Sequence, residues 1–169
     1  MTPHRPRPSP DLAPRRARGA AALAWVAAVL LGAAWGAPRA RAGSPRPAFE
    51  VIVNATNPQT SAPRAFLVDA FLKKVTRWAD GELIRPVDLK SGADARRAFS
   101  AQVLDRPVTA VRSYWQERIF SGRDVPPPEL DTDAAVVQFV AKYPGAVGYV
   151  SSRVDLSDAK DGVKVLRVE

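Results

Sequence analysis

The sequence predicts an α/β layered fold. Three observations carry that prediction. Short β-branched runs alternate with segments whose apolar residues repeat at helical spacing, as expected when strands are joined by helical crossovers. The composition, 46% hydrophobic with 25% charged residues, is that of a globular chain rather than a disordered one. Finally, once a leader is set aside, the length suits one core rather than two substantial lobes.

The first element is a buried strand over residues 49–54, Phe-Glu-Val-Ile-Val-Asn, following a proline-rich lead-in. Residues 55–61 are a loop full of turn and capping residues. A helix over 63–74 follows, with Ser61 or Ala62 near its cap and Pro63 suited to its first turn. Leu67, Ala70 and Phe71 keep its apolar face. After Trp78 and an Asp80-Gly81 turn comes a strand over 83–89, which Pro86 confines to an edge or a bulge.

Ser91-Gly92-Ala93-Asp94 opens a second helix over 94–104, with Phe99 and Val103 on one face. Asp105-Arg106-Pro107 breaks it. A third helix, 109–120, aligns Val108, Val111, Trp115 and Ile119. Residues 121–128 form a loop whose three consecutive prolines enforce extended backbone. The run from Glu129 to Asp133 reads as a helix start, with Thr132 as cap and acids at the positive end of the dipole. The fourth helix, 133–143, places Val136, Phe139, Val140 and Tyr143 on one stripe and ends at Pro144-Gly145. Two strands complete the chain, over 146–150 and 163–168.

A formal charge of +8 invites a nucleic-acid reading, but the charge is unevenly placed. Residues 1–42 hold seven arginines against Asp11 and supply most of the excess. Between two arginine groups runs an uncharged Ala- and Leu-rich stretch, 19–36, followed by Ala40-Arg41-Ala42. That is the layout of a secretory signal peptide with cleavage after Ala42. An uncleaved membrane anchor is the alternative. Arg15-Arg16 hints at twin-arginine export, but Pro14 before it and Ala17-Arg18 after it favour the Sec type. The expected organisation is therefore a leader (1–42), a short linker (43–48) and an α/β domain (49–169), exported to the periplasm or secreted. The domain is nearly neutral and has no basic helix stripe, which argues against a nucleic-acid partner.

The same division limits chemistry. The chain has no Cys, and its single His and single Met, His4 and Met1, fall in the leader. A Ser-His-Asp triad, thiol catalysis and the usual zinc or copper donor sets are then out of reach of the mature chain. The expectation is a protein that is not an enzyme and uses no cofactor or metal.

Three segments and two aromatic positions resemble a known family. Phe71-Leu-Lys-Lys-Val-Thr-Arg-Trp78-Ala-Asp-Gly81 is similar to the helix-to-Trp segment of the phosphate-binding components of bacterial ABC transporters. Val53-Asn54-Ala-Thr-Asn57-Pro58 resembles the crossing strand that enters their second lobe. Ala141-Lys-Tyr-Pro144-Gly145-Ala-Val-Gly148-Tyr149-Val-Ser151 is similar to a helix end, turn and strand late in that lobe, and Phe99 and Trp115 keep suitable spacing. The resemblance implies a type II periplasmic-binding-protein lobe: a mixed sheet flanked by about four helices, in an apparently short, single-lobe member. It implies phosphate or another small oxyanion as ligand and an ABC transporter as partner. The chain departs from the family in supplying one lobe. It also reads Ser91-Gly92-Ala93-Asp94-Ala95 where the family has a Gly-Ser-Gly-Thr turn preceded by Arg.

If a small anion binds, backbone N–H groups at helix starts and neighbouring hydroxyls should hold it. The candidates are Thr56, Asn57, Thr60 and Ser61 in the first loop, Ser91 and Gly92 in the second, and Arg96 as a source of charge. Ordinary capping competes, above all at Ser91, where Ser91-x-x-Asp94 resembles a capping box. Trp78, Trp115 and the phenylalanines read as core. The alternative function is a cell-envelope protein-interaction module on the same fold without a small ligand.

Overall fold

A computed structural model describes residues 47–169; the leader and residues 43–46 of the expected linker lie outside the described residues. The strand expected at the start of the domain forms as β1 (Phe49–Asn54), in which only Glu50 is not buried. Both faces of β1 are covered, which explains its near-continuous apolar sequence. Beside it, antiparallel, runs β6 (Ala146–Ser151), with Phe49 opposite Ser151 and Val53 opposite Val147. On the other side β7 (Val163–Val165) pairs antiparallel, Asn54 facing Val163. Parallel to β6, at the outer edge, lies β3 (Arg85–Pro86), so Pro86 occupies the edge position that its missing N–H requires. The result is a mixed four-stranded sheet, ordered β3-β6-β1-β7.

Two expected strands divide. The 83–89 run leaves β6 after the Val87 N–H bonds the Val147 carbonyl, and continues as β4 (Asp88–Leu89). Parallel to β4 is β5 (Glu129–Leu130), in a stretch whose sequence suggests a helix start. The prolines before it deliver extended backbone, and the Pro128 carbonyl accepts from the Asp88 N–H at 2.9 Å. The last run breaks at buried Leu166, whose N–H reaches the Val51 carbonyl, and resumes as β8 (Arg167–Val168). This pairs parallel with β2 (Ser61–Ala62).

Four α-helices flank these strands among the described residues. The first, α1 (Arg64–Phe71), is shorter than expected: Ser61 and Ala62 are strand rather than cap, and Pro63 is the N-cap without a side-chain bond. Its end is set by Lys73, at φ 53°, after which the Lys74 and Val75 N–H groups both turn back to the Asp69 carbonyl. The second, α2 (Asp94–Gln102), stops before 104 because Val103 and Leu104 share the Phe99 carbonyl and tuck into the core. In α3 (Val108–Phe120) Val111 and Trp115 are buried, whereas Ile119 runs off the core and is 51% exposed. The Thr132 hydroxyl caps α4 (Asp133–Lys142), accepting from the Ala135 N–H at 3.2 Å, as its position in the sequence predicts.

The core gathers where α2 and α4 meet β1 and β6. Phe99 stacks on Tyr149 with centroids 4.0 Å apart, and Phe71 and Phe49 pack against that pair. Trp78 and Trp115 are buried; the Trp78 indole donates to the Gly145 carbonyl at 3.0 Å. No helix of the described residues is long and apolar enough to cross a membrane.

Candidate functional site

The candidate residues fall into two groups, and α4 measures their separation. Beside its C-terminus, Asn54 donates through Nδ2 to the Val140 and Ala141 carbonyls, each at 2.9 Å, and the first loop begins there. Beside its N-terminus, the Ser151 N–H donates to Asp133 at 3.2 Å, and Lys90, next to Ser91, pairs with Asp131. Ten helical residues span about 15 Å, so Thr56 and Asn57 do not share one small-ligand site with Ser91 and Gly92.

In the first loop the polar groups largely satisfy one another. The Thr56 hydroxyl donates to Asn54 Oδ1 at 2.7 Å, and the Asn57 carbonyl oxygen Oδ1 accepts from the Gln59 N–H at 2.8 Å. Asn57 is buried and Thr60 exposed, the latter using its backbone carbonyl to accept from the Arg167 N–H. Ser61 is half-buried in β2 and lines a 140 Å³ cavity with Ala62, Pro63, Phe66 and Trp78. One basic group comes unannounced: the Lys164 ammonium donates to the Asn57 backbone carbonyl. The alternating Val163-Lys164-Val165 pattern marks Lys164 as facing away from the core, but nothing in it points to this loop. The C-terminal carbonyls of α4 make this end of the fold electronegative, which disfavours an anion.

The second loop is arranged differently. The N-cap of α2 is Ala93, and no side chain caps it, so the capping box expected at Ser91-x-x-Asp94 does not form. Asp94 pairs with Arg97 at the surface instead, and Arg97 also donates to the Gly92 carbonyl at 2.7 Å. The first-turn N–H groups of α2 thus carry their partial positive charge without a side-chain acceptor from the cap. A Cβ at Gly92 would meet nothing within 4 Å, so packing does not demand glycine there.

Arg96 is not the available charge the sequence suggested. It is 3% exposed and forms an ion pair with Asp88, itself 3% exposed. Tyr149 joins them: its hydroxyl donates to Asp88 at 2.5 Å and accepts from Arg96 Nη1 at 3.2 Å and the Leu89 N–H at 3.4 Å. Burial pushes the Tyr149 phenol well above its ordinary value of 10.0, against the opposing pull of Arg96. Arg96 Nε and Ser100 Oγ have no hydrogen-bond partner among the described residues. The missed signal was positional. Arg96, Phe99, Ser100 and Val103 share one helical face, so an arginine on that face had to find its anion inside.

Together these features define an α/β domain of the periplasmic-binding-protein fold, covering a partial lobe. Solved structures with this arrangement include substrate-binding proteins of phosphate transport. An ABC-type phosphate transport receptor from Vibrio cholerae is 18% identical, with a TM-score of 0.52 over 72% of this chain and 46% of that one. A putative phosphate ABC transporter substrate-binding protein with bound phosphate, from Clostridium perfringens, gives 20% and 0.54, over 72% and 44%. PstS from Borrelia burgdorferi gives 13% and 0.54, over 72% and 47%. The chain spans less than half the length of these proteins, and at such identity the likeness is one of fold. No protein-family model and no curated protein matches the chain.

Proposed function

We propose that the chain is an exported solute-binding-protein-like domain of the kind that serves ABC-type phosphate uptake, without catalytic activity. Residues 1–42 act as its export signal and 49–169 as its binding domain, in the periplasm or outside the cell. The ligand is phosphate or another small oxyanion, and the partner is an ABC transporter. The binding position is the Ser91-Gly92 turn ahead of α2, where first-turn N–H groups and the Ser91 hydroxyl face the ligand. The observation that supports this reading best is the α2 N-terminus left without a side-chain cap, on a fold shared with a protein that holds phosphate. Thr56, Asn57, Thr60 and Ser61 belong to a separate polar loop, in which Asn57 is buried. Binding is weak, because Arg96 spends its charge on Asp88 and Asp94 stands in the first turn.

The Asp88–Arg96 pair also favours a second reading, a cell-envelope interaction module that binds no small ligand. Thermal unfolding with millimolar phosphate or sulfate separates the two. A ligand at ten times its Kd stabilises by about 1.4 kcal/mol. Ser91→Ala and Gly92→Val should abolish the shift, while a Thr56→Ala/Ser61→Ala double variant keeps it. Stabilisation by no oxyanion leaves the interaction module standing. Loss in the double variant alone moves the site to the first loop.

A further inference from the structure

Where the chain enters α2, three basic side chains each already hold a carboxylate. Arg96 pairs with Asp88, Arg97 with Asp94 and Lys90 with Asp131. The pairs differ in how readily they open. Arg96 and Asp88 are both buried, and separating them would strand an uncompensated charge inside the core. Arg97 is held twice, by Asp94 and by the Gly92 carbonyl at 2.7 Å. Lys90 and Asp131 instead keep 64% and 67% of their side-chain surface in water. An exposed pair of this kind is worth at most about fivefold in an equilibrium, so a competing anion can open it.

The backbone places Lys90 between two destinations for its charge. On one side its N–H donates to the Leu130 carbonyl at 2.9 Å, next to the Leu89–Leu130 pair of β4 and β5, which sets Asp131 beside it. On the other side its carbonyl accepts from the Ala93 N–H at 3.0 Å, so residues 90–93 form a β-turn that ends at the N-cap of α2. The Cα atoms at the two ends of such a turn lie within about 7 Å, a gap that the flexible four-carbon stem of lysine spans. We propose that Lys90 is the affinity-determining charge of the oxyanion position and that Asp131 is its internal competitor. When an oxyanion settles on the first-turn N–H groups of α2, the Lys90 ammonium leaves Asp131 for it, and the exposed Asp131 carboxylate stays hydrated. This inference rests on the oxyanion reading above. It also exchanges the roles that the sequence suggests: Arg96, the expected source of charge, is locked in the core, and its neighbour across the turn is free to serve.

Titration calorimetry of the full chain at low salt, with inorganic phosphate and separately with sulfate, tests the exchange. Asp131→Asn frees Lys90 and should tighten both anions by about threefold to fivefold. Lys90→Gln should weaken both by a similar factor. The double variant should bind no better than Lys90→Gln alone, because Asp131 acts only through Lys90. Both side chains are exposed, so circular dichroism without anion should match the parent in every variant. A parent that binds while Asp131→Asn leaves its affinity unchanged overturns the inference and leaves the oxyanion reading standing. So does a gain that survives in the Lys90→Gln background, which would make Asp131 a source of general negative field. Binding of neither anion by the parent or by any of these variants overturns the oxyanion reading itself, and this inference with it.

Discussion

Tyr149 lies where three polar groups meet inside an apolar core: the Asp88 carboxylate, the Arg96 guanidinium and the Leu89 N–H. Removing its hydroxyl leaves Asp88 short of a donor where water does not reach, so Tyr149→Phe should cost about 1–3 kcal/mol at neutral pH. The phenol also makes stability depend on alkaline pH. Its folded pKa is raised above the unfolded value of 10.0, so the folded chain holds the proton more tightly than the unfolded one. The stabilisation is therefore intact below pH 10 and declines as the unfolded phenol begins to ionise above it. Urea midpoints between pH 8 and 11 should fall more steeply in the parent than in Tyr149→Phe, since all other titrating groups are common to both. Parallel slopes would show that Tyr149 does not titrate differently on folding. The partners of this cluster were hard to read from sequence because nothing local pairs Asp88, in a strand, with Arg96, on the next helix. Burial is legible from helical spacing, but the identity of the neutralising partner is a tertiary fact.

At the level of elements, β6 and α4 show why some of the fold was plain in advance. The helical stripe of Val136 and Val140 and the Thr132 cap are local properties, and they appear as expected. The Pro144-Gly145 stop and Gly148 looked like motif residues; the structure gives them steric reasons. A Cβ at Gly145 would stand 1.8 Å from the Leu83 carbonyl oxygen, and one at Gly148 would meet Val136 and Val87 methyls at 2.8 Å. Gly148 thus lets α4 and the β3–β4 segment close onto β6. Gly148→Ala should overpack this junction and destabilise by about 1–3 kcal/mol, read as a lowered urea midpoint with unchanged m-value. A neutral effect would mean that the helix can retreat without loss. The two-residue strands β2 and β5 were illegible for the opposite reason: neither has a pattern of its own, and each exists only because a distant partner lies beside it, as do the breaks that set β4 and β8 apart within the expected strands 83–89 and 163–168. For the same reason the sequence could name hydroxyls and helix starts, but not that the first loop lies at one end of α4 and Ser91 at the other.

Across the whole domain, chain order and sheet order are opposed, so the last strands hold the first one in place. The first strand of the fold, β1, lies inside the sheet, and one of its two neighbours is β7, close to the C-terminus. The closing segment does more than pair with β1. Gly162 accepts from the Ala55 N–H at 3.0 Å, Leu166 donates to Val51 at 2.8 Å, and Glu169 exchanges backbone bonds with Ala62 and Arg64. Val163 and Leu166 are among the buried core. Burying such side chains is worth about 1.5–3 kcal/mol each, and the ladder bonds add to that. Domains of this kind have about 5–15 kcal/mol of net stability in total. Deleting residues 162–169 should therefore remove most of the margin, exposing both the β7 side of β1 and the β8 side of β2. The expected result is a chain with no cooperative thermal transition by far-UV circular dichroism and little amide-exchange protection in β1. A sigmoidal melt within a few degrees of the parent would instead place the folding unit in the segment between β1 and β6, with the C-terminal strands as an addition to it. That outcome would also alter the functional picture, because Lys164 reaches the first loop only while β7 is in place.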